Sequence, residues 1–399
     1  MRIFHGWCRS KARLDGKTAV VTGCNIGIGK ETVLDFVKRG GRVVMACRDM
    51  RKAEEAADDI RKQTNGLQGV GEMVLVKLDL SSLKSVEECA MRILQTEDRI
   101  NILVNNAGNK KISIPKLIIL VKNVYNTIPV YSCTFIIYIL YFIDILRNRC
   151  HYCRKMQKIG VIKGNPKALT EDGFEWHFEV NHLGHFLFTC LLLPRILRSV
   201  PARIINLSSI AHWGAFINFN DINMESIFHP FMAYGRSKLC NLLFSKELGK
   251  RLEGTGVTTY AVHPGIIETE LWRNEECLSS TVYWIWKNIV RLSKTSECGA
   301  QTTIYCAVEE SLWKETGHYY SDCTRDFTSC TASSSNLARR LWEESVKFVG
   351  IQKWDPFSAP HTSLIKPVSR PRTKESNKSV TVSGHFGEDI EFGLPNYYE

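Results

Sequence analysis

From Lys17 onward the chain alternates short β-branched runs with amphipathic stretches of helical length, and no other feature constrains its fold as tightly. Residues 18–21 read as a strand, 29–39 as a helix, 42–46 as a strand, 51–63 as a helix, 73–77 as a strand, 83–94 as a helix and 102–105 as a strand. Strands joined through helices run parallel, and a parallel sheet has to be covered on both faces. The rhythm resumes at Glu171 with a long helix, then a strand at 203–207, a helix at 234–252 and a strand at 257–262. The expected architecture is one doubly wound α/β domain built on a parallel sheet.

Two segments break the rhythm. Residues 109–164 are rich in Ile, Lys, Asn, Tyr and Phe without an amphipathic period, and residues 351–399, rich in Pro, Ser and Lys, are expected to form a disordered tail. The first segment also explains the charge. The chain carries a formal +11, but 109–164 holds ten Lys or Arg against the single acid Asp144, and the rest is nearly neutral. A general nucleic-acid-binding surface is therefore not expected. The apolar run 124–146 is long enough to tempt a membrane-spanning assignment. A single crossing would place strands 102–105 and 203–207 on opposite sides of a bilayer, so peripheral contact is the stronger expectation. The 14 Cys are scattered without a repeated spacing, and residues 1–13 hold no apolar core of signal-peptide length. Reduced thiols and a chain that is cytoplasmic or peripherally membrane-associated, not secreted, follow as expectations. Cys150 and Cys153 form one CxxC, but no second ligand pair stands at zinc-site spacing, so no metal is expected.

Four motifs carry chemistry. The first strand runs into Thr22-Gly23-Cys24-Asn25-Ile26-Gly27-Ile28-Gly29, directly before a helix, which suits close approach of the backbone to a pyrophosphate. The second strand ends in Ala46-Cys47-Arg48, where an NAD-selective site would offer a carboxylate to the ribose. Cys47 cannot, whereas Arg48 can pair with a 2′-phosphate, which points to NADP(H). Tyr234 and Lys238 stand four residues apart, on one helical face. A phenol with an ordinary pKa of ~10 shuttles protons poorly at neutral pH, and a lysine with an oxidised nicotinamide ring can lower it. Ser209 follows strand 203–207 at the edge where ligands bind, and Asn181 lies within the long helix, a mild misfit unless it joins a buried polar network.

Taken in order, these motifs resemble the short-chain dehydrogenases/reductases. The match runs through Thr22 to Gly29, Asp79-Leu80, Asn105-Asn106-Ala107-Gly108, Asn181, Ser209, Tyr234/Lys238, and His263-Pro264-Gly265 with Thr269. Finer features, among them Ala46-Cys47-Arg48-Asp49 and Asn181-His182-Leu183-Gly184-His185-Phe186, look like the retinol dehydrogenase branch. The resemblance implies a single Rossmann domain over residues 14–350 with a parallel seven-stranded sheet, binding NADP(H) and interconverting retinoids, or other apolar alcohols, with their aldehydes or ketones. It makes Tyr234 the general acid/base, Lys238 the group that binds the nicotinamide ribose and lowers the Tyr pKa, Ser209 the carbonyl anchor and Asn181 the support of a proton relay. It places Gly23, Asn25, Ile26, Gly27, Ile28 and Gly29 on the pyrophosphate side, Asp79 and Leu80 on the adenine side, and Asn105, Ala107 and Gly108 on the central part of the cofactor. Pro264, Gly265 and Thr269 complete the cofactor set. Relatives often pair through the helices that carry Asn181 and Tyr234, so a homodimer is an expectation too.

Two function classes stay open on the sequence: an NADP(H)-dependent oxidoreductase, or a non-catalytic nucleotide-binding relative whose substrate site is disrupted by 109–164. Trp213, Phe216, Phe228 and Trp272 suggest an apolar substrate pocket. Because Ile, Lys, Asn, Tyr and Phe are encoded by codons rich in A and T, and the block falls between two intact motifs, 109–164 is expected to be translated intron sequence. A membrane-docking insertion is the alternative.

Overall fold

The computed structural model describes residues 6–108, 169–226, 228, 230–265 and 294–357. The expected 109–164 insertion, the CxxC within it, Thr269, Trp272 and the tail beyond 357 lie outside the described residues.

The strands are β1 (Thr18–Thr22), β2 (Arg42–Cys47), β3 (Met73–Lys77), β4 (Ile102–Asn105), β5 (Ala202–Leu207), β6 (Val257–His263), β7 (His318–Ser321) and β8 (Thr324–Arg325). They form one sheet in the order β3-β2-β1-β4-β5-β6-β7-β8. Seven strands are parallel, as the alternation requires; β8 adds a two-residue antiparallel edge, too short to leave a periodic signal in sequence. Val20, Val21, Val43 and Val44 are all fully buried, which is why the runs read as β-branched rather than alternating.

Helices α1 (Gly27–Lys38), α2 (Met50–Thr64) and α6 (Ser296–Val308) pack on one face of the sheet. Helices α3 (Leu83–Thr96), α4 (Trp176–Leu197), α5 (Pro230–Arg251) and α7 (Ser335–Phe348) cover the other. The chain winds outward from β1 through β2 to β3, then returns to β4 and winds the other way. That reversal opens a crevice at the carboxyl ends of β1 and β4, the place where such sheets bind ligands. Packing runs past both expected domain limits. Cys8 is buried with its N–H on Gln301 Oε1 at 3.3 Å, Ile351 is buried, and Trp354 and Phe357 rest on the core.

Helix α4 starts five residues later than Glu171. Gly173 adopts φ +82°, and Thr170 N donates to Phe174 O at 2.9 Å, so 170–174 form a turn. Glu175 then caps the helix, accepting from His177 N at 2.9 Å and Phe178 N at 3.0 Å. Helix α4 is long and apolar enough to cross a membrane, yet 78% of that window is buried inside the domain. Its buried side chains pack in the core on the face it shares with α3, α5 and α7.

Candidate active site

Tyr234 and Lys238 both lie on α5, with the Lys238 ammonium 5.7 Å from the centre of the Tyr234 ring. The end of β5 fixes that helix. Leu207 O accepts from Lys238 Nζ and from Asn241 Nδ2, each at 3.0 Å, and the Ser208 hydroxyl donates to Lys238 O at 2.8 Å. Burial pushes the Lys238 pKa down to about 8. Ser209 opens the short 3₁₀ turn Ile210–Gly214, accepting from Ala211 N at 3.2 Å, and its side chain acts on Tyr234 to lower the phenol's pKa. Burial holds the Tyr234 pKa above its usual value, and Ser209 opposes that rise. The Lys238 ammonium is turned to Leu207 O.

Asn181 sits in the π turn Glu179–Leu183 of α4 and is fully buried. Its Nδ2 donates to Ser237 Oγ at 2.9 Å, and Ser237 Oγ donates to Tyr234 O at 2.7 Å, so the amide clamps α4 to the Tyr234 turn of α5. A Cβ placed on Gly108 would lie 3.4 Å from Lys238 Nζ and 3.5 Å from Asn181 Oδ1, which sets Gly108 between the two.

The glycine loop follows β1. Gly23 and Gly27 have φ of +62° and +59°. A Cβ on Gly23 would meet Ala107 Cβ at 2.6 Å, and one on Gly29 would meet Asn106 Nδ2 at 2.5 Å, so neither position admits a side chain without displacement. Asn106 secures the loop by donating to Thr22 O at 2.8 Å and Gly23 O at 3.0 Å. Beneath it, Thr22 Oγ1 accepts from Asn106 N at 3.0 Å and Ala107 N at 2.9 Å and donates to His185 Nε2 at 2.9 Å. The tautomer follows from the other nitrogen: Asn181 O, 3.1 Å from His185 Nδ1, can only accept. Burial lowers the His185 pKa to about 4, so the ring is neutral. Thr22, Asn106 and His185 thus join the loop to α4; all three stand within the sequence motifs, but none is given a role of its own there.

The domain match is specific. Residues 17–128 and 159–277 match the family model for short chain dehydrogenases. The chain belongs to the short-chain dehydrogenase/reductase family. It is 40% identical over 350 residues to retinol dehydrogenase 12 of Mus musculus, covering 88% of this chain and 91% of that protein. Human retinol dehydrogenase 13 is 39% identical over 357 residues, with coverage of 87% and 88%. In structure it resembles an uncharacterised protein from Mycobacterium paratuberculosis, with TM-score 0.57, 28% identity and coverage of 86% and 97%. L-sorbose reductase of Gluconobacter frateurii, solved with NADPH and L-sorbose, shares the fold at TM-score 0.51 and 16% identity, with coverage of 78% and 96%. The short-chain dehydrogenase/reductase is thus an oxidoreductase of retinol dehydrogenase type, whose fold binds a nicotinamide dinucleotide.

The residues present fit that dinucleotide. Helix α1 has neither a capping side chain nor an acid in its first turn, whereas side chains of Asp49, Ser82, Glu175, Thr295 and Ser334 cap α2, α3, α4, α6 and α7. Its uncapped N–H groups are left for an anion. Exposed Arg48 follows buried Cys47 at the end of β2, and Asp49 Oδ1 is engaged by Lys52 N at 3.1 Å. Other side chains in the cofactor set serve the scaffold. Asn105 turns inward, donating to Thr189 Oγ1 at 2.9 Å and Asn206 Oδ1 at 2.7 Å. Leu80 is buried against Gly184. Asp79 Oδ1 accepts from Ser81 N at 3.0 Å and Ser81 Oγ at 2.6 Å. Gly265 has φ +90° and lies beneath the Lys294 side chain.

Proposed function

We propose that this protein is an NADP(H)-dependent alcohol dehydrogenase/carbonyl reductase that interconverts an apolar alcohol, a retinoid or similar compound, with its aldehyde or ketone. The observation that carries the reading is the convergence of Ser209, Tyr234, Lys238 and Asn181 beside Gly108, at the mouth of an uncapped glycine-loop helix. When bound, the nicotinamide supplies or accepts the hydride. The Tyr234 hydroxyl gives the proton to the carbonyl oxygen in reduction and removes it in oxidation, while the Ser209 hydroxyl holds that oxygen. Lys238 brings an ammonium to the same turn, and Asn181 keeps the two helices in register through Ser237.

Exposed Arg48 supports NADP(H), because among the described residues it makes no ion pair and no carboxylate at Cys47 repels a 2′-phosphate. Half-exposed Trp213 and Phe216, four and seven residues after Ser209, support an apolar substrate. We assign Pro264 and Thr269 to the cofactor side by the family pattern, and α4 and α5 to a homodimer contact on the same ground. Oxidation of NADPH and of NADH against a panel of apolar aldehydes, retinal among them, tests the function. Turnover with NADPH and retinal or another long-chain aldehyde is expected; binding of NADPH with no turnover on any member of the panel would support the non-catalytic alternative.

A further inference from the structure

Tyr234 is flanked by a buried charged cluster that the reaction as described does not use. The His177 imidazole meets the Tyr234 ring edge to face, with centroids 6.3 Å apart and planes at 78°. His177 precedes Asn181 by one helical turn and so shares its face of α4. Its orientation comes from Glu175, whose Oε1 accepts from His177 Nδ1 at 2.8 Å and from His177 N at 2.9 Å. The other carboxylate oxygen accepts from Phe178 N at 3.0 Å and from the Arg236 guanidinium at 2.9 Å. Arg236, two residues after Tyr234 on α5, also donates to Ile222 O. All three side chains are buried. Glu175 therefore holds the first turn of α4 and the Tyr234 turn of α5 at once.

The imidazole carries a cost that an apolar ring would not. Because the carboxylate only accepts, Nδ1 is the donor, and Nε2 is buried with no partner among the described residues. A phenyl ring would fill similar space without leaving that nitrogen unpaired, but nothing would then fix its plane. We propose that His177, oriented by Glu175, is a positioning residue that holds the Tyr234 phenol in line with Ser209. The inference rests on the reading of Tyr234 as the acid/base, for which a small displacement of the hydroxyl costs rate rather than binding.

Two substitutions separate ring from orientation. His177→Asn keeps a donor for Glu175 and removes the ring; His177→Phe keeps a ring and removes the donor. With NADPH and an aldehyde, kcat is expected to fall about tenfold in His177→Asn and less in His177→Phe, with the KM for NADPH unchanged in both. In protein labelled with 13C at tyrosine Cζ, the Tyr234 resonance, assigned by its absence in Tyr234→Phe, is expected to move in His177→Asn. Thermal unfolding confirms that each variant is folded, and His177→Phe alone decides if His177→Asn is not. An unchanged kcat together with an unmoved Tyr234 resonance in a folded variant would overturn the proposal. If the parent enzyme turned over no aldehyde, the functional reading would fail, and the resonance would still decide whether His177 positions the phenol.

Discussion

Cys47 and Arg48 are neighbours at the end of β2, yet one is buried and the other exposed, and the difference sets the cofactor side of the proposal. Arg48→Ala is expected to lower NADPH affinity about tenfold and to leave NADH unaffected, because only the 2′-phosphate is paired by the guanidinium. Titration of both nucleotides checks it; an unchanged preference would remove Arg48 from the site. Ser209 acts on Tyr234 with a definite sign. Burial raises the Tyr234 pKa and the Ser209 side chain opposes the rise, so Ser209→Ala should raise it further. Reduction needs the protonated phenol, so the alkaline limb of the pH–rate profile for reduction is expected to shift to higher pH in Ser209→Ala, with kcat falling about a hundredfold. A limb that stays in place, or moves to lower pH, would contradict the contact.

Helix α4 is the element on which most of the site hangs, and its stability is tied to pH through two neutral histidines. Burial lowers the pKa of His182 to about 3 and of His185 to about 4, against about 6.5 in the unfolded chain. The unfolded state therefore binds more protons as pH drops below about 6.5, and the stability these groups confer is lost progressively down to their folded values. Replacing His185 by Gln is expected to destabilise the domain at pH 7 and to flatten the acid side of the stability profile in denaturant titrations. An acid slope as steep as the parent's would show that His185 is not buried in neutral form.

The alternation of strand and helix was legible in sequence because strands buried on both faces need β-branched side chains throughout, and the glycine loop because its turn tolerates little else. The start of α4 was not legible. Glu171 and Glu175 look alike, and only the left-handed Gly173 between them decides which one caps the helix. Nor were the partners of Asn105, 84 and 101 residues away, or of Glu175, 61 residues from Arg236, since such pairs exist only after the sheet and helices have assembled.

For the whole molecule, the segment 109–164 enters the chain directly after Gly108, whose Cβ position borders both Lys238 and Asn181. A chain in which Gly108 is joined to Pro166 through a short loop is expected to be more soluble and more active as a reductase than the full chain, since the apolar run 124–146 goes with the block. Comparison of soluble yield and kcat checks this; a shortened chain that fails to fold, or peptides from 124–147 at stoichiometric level in native protein, would show the block to be a working part. The claim on which everything else depends is that Tyr234 exchanges the proton, and Tyr234→Phe tests it most directly by removing one hydroxyl and keeping the ring. Turnover is expected to fall by orders of magnitude while NADPH binds as before. A variant that kept more than about a tenth of the parent's kcat would mean that another group carries the proton.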